Sequence, residues 1–133
     1  MHIDGACHCG NIAFEAEVDP EAVRLCHCTD CQTTSGSLFR ANIVAAGETF
    51  RLVRGHPQIY IKTADSGAKR AQAFCPDCGT GLYSAAPVDP ASYVVRVGVI
   101  AQRAMFRPRL QIWCRSALPW TADVLGVEKH ERQ

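Results

Sequence analysis

At 133 residues the chain is long enough to bury one core and short for two, so a single domain spanning residues 1–133 is expected, with its core over about 3–120. Hydrophobic residues at 47% and charged residues at 20% exclude an intrinsically disordered chain, and 14 Lys and Arg against 13 Asp and Glu leave +1, too weak a field to gather nucleic acid. No apolar run approaches the roughly 18 residues of a membrane span, and residues 1–5 carry no basic and then apolar leader, so the expectation is a cytoplasmic protein with neither a membrane nor a nucleic-acid partner.

The first predicted element is a half-buried strand in which Ile12, Phe14, Ala16 and Val18 share one face and Glu15 and Glu17 the other, until Asp19-Pro20 stops it. After Cys28 a short helix is predicted over residues 29–33, with Thr29 as its N-cap. Strands follow at residues 38–45, 49–53, 58–63, 70–74, 81–84, 93–100 and 109–115. They are divided by turn residues at Gly47-Glu48, Gly55-His56-Pro57, Asp65-Ser66-Gly67 and Arg107-Pro108. The last strand carries Cys114 on one face with Leu110 and Ile112, which predicts a buried core thiol. Residues 128–133 are polar and unpatterned, and a frayed end is expected there. The chain reads as all-β, packed antiparallel sheets with little helix. No pattern specifies an oligomeric state.

The chemistry lies in the cysteines. Seven of the eight fall in three clusters, Cys7-His8-Cys9, Cys26-His27-Cys28-Thr29-Asp30-Cys31 and Cys75-Pro76-Asp77-Cys78, with Cys114 alone. In a reducing compartment clustered thiols serve as metal ligands rather than disulfides. A Cys-x-x-Cys knuckle brings two sulfurs to one ion, and Gly10 and Gly79 behind the knuckle cysteines permit the tight turn. Pairing Cys7 and Cys9 with Cys75 and Cys78 completes a closed, structural zinc site of four cysteines. Cys26, Cys28 and Cys31 then supply three ligands with an open fourth position, the pattern of a catalytic zinc, and a thiol is the natural fourth partner. Iron in place of zinc, or a metal-free redox triad, is left open by the residues. His8 and His27 alternate with ligand positions in extended chain and are read as non-ligands. Ser35 or Thr33 stands close enough in sequence to the triad to orient an oxygen. Arg103, Arg107, Arg109 and Arg115 form a basic run that fits a solvated strand edge better than an anion site.

These pieces in order, Gly5-Ala6-Cys7-His8-Cys9-Gly10-Asn11-Ile12, Cys26 to Cys31 running into Ser35-Gly36-Ser37, Phe74-Cys75-Pro76-Asp77-Cys78-Gly79-Thr80, Val97-Gly98 and Ala117-Leu118-Pro119-Trp120, resemble the glutathione-dependent formaldehyde-activating family, which includes the centromere protein V relatives. The resemblance implies a zinc-bearing β-tent of packed antiparallel sheets. It implies a carbon–sulfur lyase that handles S-hydroxymethylglutathione, with a small thiol and a small aldehyde as partners, and the same division of ligands between two zinc ions. Three places depart from the family pattern: Val99-Ile100-Ala101 stands where Thr-Leu-Asp is common, Gln111 where a His is frequent, and Gln32-Thr33 where basic residues are frequent. Other functions compatible with the residues are a non-catalytic zinc module for a macromolecular partner and a metal or redox sensor.

Overall fold

The computed structural model describes residues 1–133. The chain runs through β1 (His2–Ala6), β2 (Ala13–Glu17), β3 (Arg24–Cys26), α1 (Thr29–Ser35), β4 (Arg40–Ala46), β5 (Arg51–Arg54), β6 (Gln58–Thr63), β7 (Lys69–Phe74), β8 (Gly81–Ala85), β9 (Ser92–Arg96) and β10 (Leu110–Ile112), with short 3-10 turns between several of them. A three-stranded sheet has the order β1-β2-β5, and a seven-stranded sheet the order β10-β3-β4-β9-β8-β7-β6. All pairings are antiparallel except β10 with β3, which is parallel. No helix is long and apolar enough to cross a membrane.

The core forms where the two sheets face each other. Alternation along β1 and β2 turns Ile3, Phe14 and Ala16 inward, against Ile43, Ala45, Tyr83, Ala85 and Val95 of the large sheet. Phe50, in the turn between β4 and β5, fills the joint. It stacks on Phe14 (5.3 Å between centroids) and Tyr93 (4.0 Å) and meets Tyr83 edge-on (4.9 Å). Backbone bridges at Gly5 with Ile100 and at Val18 with Ala45 lie outside the regular ladders.

The small sheet depends on a glycine. A Cβ on Gly5 would stand 2.1 to 2.7 Å from three ring atoms of its cross-strand partner Phe14, whose ring is 1% exposed and has nowhere to go. Overpacking of this kind costs about 1–3 kcal/mol. Gly5→Ala is therefore expected to lower the stability read from urea unfolding by that amount with an unchanged m value, and an unshifted midpoint would show that the ring moves aside freely.

Several expectations need correction. The strand expected over 93–100 ends at Arg96, because Val97–Val99 turn as a 3-10 segment. The strand expected over 109–115 stops at Ile112, where Trp113 takes a left-handed conformation (φ 58°) and Cys114–Ser116 form a 3-10 turn. Cys114 is consequently exposed, not a core thiol. The cap of α1 is Cys28 rather than Thr29. β1 and β3 add to the expected strands: Asp4 and Gly5 interrupt the apolar signal of the first, and the second is three residues long.

Candidate metal centre and substrate cleft

The turn after β1 and the turn after β7 meet beside the core. Cys7 and Cys9 come from the first, Cys75 and Cys78 from the second, and their four Sγ atoms all lie within 4.8 Å of one another. Cys7 and Cys9 are 3.5 Å apart and Cys9 and Cys75 3.8 Å. Tetrahedral ligation with Zn–S bonds near 2.3 Å sets sulfurs about 3.8 Å apart, a spacing these sulfurs approach, so the group fits one zinc ion.

The surrounding backbone is built for sulfur ligands. Gly10 (φ 79°) and Gly79 (φ 73°) take left-handed conformations that let each turn close, with Gly10 N donating to Cys7 O (3.0 Å) and Gly79 N to Cys75 O (2.8 Å). Ile12 N donates to Cys7 Sγ at 3.3 Å. The two turns are also tied directly, by Asn11 Nδ2 donating to Asp77 Oδ2 (2.8 Å) and His8 N to Thr80 Oγ1 (3.1 Å). The Thr80 hydroxyl, 3.1 Å from Cys78 Sγ, brings that thiol down to about 5. Cys75 and Cys7 are 0% and 4% exposed and belong to the core, Cys78 packs against it and Cys9 is exposed, so the group spans the edge of the core.

The second group is Cys26, Cys28 and Cys31, again with every Sγ within 4.8 Å of the others. Cys26 ends β3, Cys28 caps α1, and Cys31 lies in the first turn of the helix, its N–H donating to Cys28 Sγ at 3.3 Å. Burial pushes the Cys31 thiol up to about 12, with the Arg40 guanidinium pulling the other way, and burial also raises Cys26. Burial opposes ionisation of Cys28 too, but the Cys31 amide, the neighbouring thiols and the Lys62 cation leave it below the ordinary thiol range. Three soft thiolate donors suit zinc and leave a tetrahedral position open.

His8 and His27 belong to neither group. His27 is buried, with Nε2 2.8 Å from Gln111 Oε1 and its ring edge-on to Phe39. Gln32, one turn into α1, donates from Nε2 to both His27 O (2.7 Å) and Ser116 O (2.9 Å), anchoring the triad segment to the C-terminal turn. Ser35 borders the cleft and gives its hydroxyl proton to Cys31 O (2.6 Å), while Thr33 is exposed and not part of the cleft lining.

Strand register explains what lies next to the triad. Cys26 pairs with Arg40, and two residues along the same face of β4 Asn42 pairs with Arg96. Val94, two residues before Arg96, pairs with Ser84, which pairs with Gln72, which pairs with Tyr60. Cross-strand partners share a face, so these residues form one continuous row on the side of the large sheet away from the core. Asn42, Ser84 and Arg96 are buried despite their polarity. Helix α1 sits at one end of this face, and Lys62 of β6 reaches it through an ion pair with Asp30. Between them lies a cleft of about 870 Å³ bordered by Thr34 and Ser35 of α1, Arg40, Arg96, Tyr60 and the Gly79-Thr80-Gly81 turn.

A family model described as glutathione-dependent formaldehyde-activating enzyme matches residues 2–116. The chain belongs to this family. No curated protein matches it at a significant level. Among solved structures, the chain is similar to a crystal structure of a Rhodobacter sphaeroides protein at 22% identity and a TM-score of 0.62, covering 81% of this chain and 98% of that one, a likeness of fold.

Two of the three departures from the formaldehyde-activating family pattern meet at the triad. Gln111 and Gln32, from β10 and α1, both grip His27, one through its ring and one through its carbonyl. In the third, Val99-Ile100-Ala101, Val99 lines the cleft, Ile100 is buried in the core and Ala101 N bonds Asp4 O (2.8 Å). The arginines of the C-terminal basic run have separate local partners, Arg109 with Glu21, Arg103 with Ile100 O and Arg115 over Trp113. Sequence reasoning missed the arginines that do face the cleft, Arg40 and Arg96, although a charge set between apolar residues on a strand (Val94-Val95-Arg96-Val97) was the available signal.

Proposed function

We propose that this chain is a zinc-dependent enzyme of the carbon–sulfur lyase type, acting on a thiol–formaldehyde adduct such as S-hydroxymethylglutathione. The observation that carries the reading is a three-sulfur group, one of whose members, Cys26, is the cross-strand partner of the cleft-lining Arg40, apart from a complete four-sulfur group that spans the edge of the core. Cys7, Cys9, Cys75 and Cys78 would hold a structural zinc, and Cys26, Cys28 and Cys31 a catalytic one. Bound at the triad, zinc would supply Lewis acidity and one coordination position for an exogenous thiol, whose free pKa is about 8.5.

The chain's own residues do the rest. Cys28 and Cys31 are held by the first turn of α1, and Gln32 fixes that turn against the C-terminal segment. Phe39, Tyr60 and Phe74 give the cleft apolar walls, and Arg40 and Arg96 give it a positive floor that favours an anionic thiol. The overall reaction makes or breaks one C–S bond: in the synthetic direction the sulfur lone pair adds to formaldehyde carbon while the thiol proton ends on the new hydroxyl, and the lyase direction is the reverse. The same reading makes residues 1–133 a single domain of a reducing, cytoplasmic compartment in which none of the eight cysteines is drawn into a disulfide. Loss of formaldehyde in the presence of glutathione, corrected for the uncatalysed reaction, is the test. Zinc-loaded protein should exceed the background rate, and protein that never does so with glutathione or other small thiols would end the enzymatic reading.

A further inference from the structure

Arg96 is a buried cation that no acid neutralises. Its side chain is 8% exposed, yet its protein partners are all neutral: Nη1 donates to Asn42 Oδ1 (2.9 Å) and Val94 O (3.3 Å), and Nη2 to Gln72 Oε1 (2.7 Å). The Nε–H and the second Nη2–H, the pair a guanidinium uses for a side-on bidentate bond, have no protein acceptor. Arg40 repeats the situation. Its Nη1 donates to Thr34 Oγ1 (2.8 Å), while its Nε is buried without a partner. Neither arginine forms an ion pair within the chain, and no Asp or Glu lines the cleft.

A buried charge without a counter-charge is unfavourable. Burial, with Arg40 next in importance, accordingly lowers Arg96 to about 9. A zinc-loaded triad would not cancel the excess: three thiolates and a divalent ion would sum to −1, against +2 from the two guanidiniums, leaving the cleft a net positive charge. Two neighbouring guanidiniums set among neutral partners, with N–H groups left unpaired, suit a planar carboxylate.

We propose that Arg40 and Arg96 form a carboxylate-binding subsite, so that the thiol taken by this cleft carries a carboxylate remote from its sulfur. The proposal rests on the thiol-adduct reading above for the identity of the thiol, but not for the anion site itself. Both residues would then set specificity without touching the reacting atoms.

The test is calorimetric titration of zinc-loaded protein with S-methylglutathione and with its diethyl ester, neither of which can react at sulfur. Wild type should bind the free acid at least about tenfold more tightly than the ester. Arg96→Gln and Arg40→Gln should each erase most of that ratio, and in the formaldehyde assay raise KM for glutathione far more than they lower kcat. Arg40 is only partly buried, so Arg40→Gln keeps the test open if the Arg96 variant does not fold. Equal binding of acid and ester by wild type, or a ratio untouched in both variants, overturns the subsite. An acid preference in a protein inactive towards every thiol would uphold the subsite while ending the lyase reading.

Discussion

Cys78→Ser is expected to leave the chain unfolded or insoluble, and prolonged chelation of the wild type to do the same. Cys7 follows a strand of the small sheet and Cys75 and Cys78 follow a strand of the large one, so an ion held by the four sulfurs joins the two layers whose contact is the core. Structural zinc in finger peptides contributes roughly 10–16 kcal/mol to folding, whereas a whole domain is stable by only about 5–15 kcal/mol. Losing one ligand of four therefore threatens the entire margin. The cavity left by sulfur is minor beside this, because Cys78 lies at the edge of the core and a serine differs from it by one atom. Far-UV circular dichroism with a thermal melt reads the outcome. Soluble, zinc-free protein that melts cooperatively near the wild-type temperature would remove the structural assignment.

Cys28→Ser should behave in the opposite way, abolishing thiol–formaldehyde chemistry while the fold survives. Cys28 is the N-cap of α1, its sulfur accepting the Cys31 amide. Serine is among the best N-cap residues, so the helix keeps its cap and the substitution costs at most about 1 kcal/mol there. The triad draws all three sulfurs from residues 26–31, a local segment that joins no distant elements. An ion there consequently carries less of the folding energy than one that bridges two sheets. Formaldehyde consumption should fall to the uncatalysed rate with a melting temperature within a few degrees of wild type. A melting loss as severe as that of Cys78→Ser would make the triad structural.

The cysteine groups were readable in the sequence because ligand geometry is encoded in very short spacings, and Gly10 and Gly79 marked the turns. β6 was equally plain, since Gln58–Thr63 alternates and is fenced by Pro57 and by Asp65-Ser66-Gly67. The polar face of the large sheet was not readable. Arg40, Asn42, Gln72, Ser84 and Arg96 come from four strands, and only the register of the paired strands places them in one row with Cys26 and Tyr60. In sequence each looks like an ordinary solvent-side residue, because alternation reports that a residue points away from the core but not that a cleft covers it. Cys114 failed for a related reason: its apolar neighbours Leu110 and Ile112 promised a continuing strand, and a left-handed Trp113 ended it.

The central claim is that two cysteine groups hold two zinc ions with different duties, and native mass spectrometry of the wild type beside Cys28→Ser tests it most directly. Two zinc ions per chain are expected in the wild type and one in the variant, with the remaining ion retained by a folded protein. A single zinc in the wild type that is unchanged by Cys28→Ser would contradict it, leaving the triad without a metal and the cleft without its proposed chemistry.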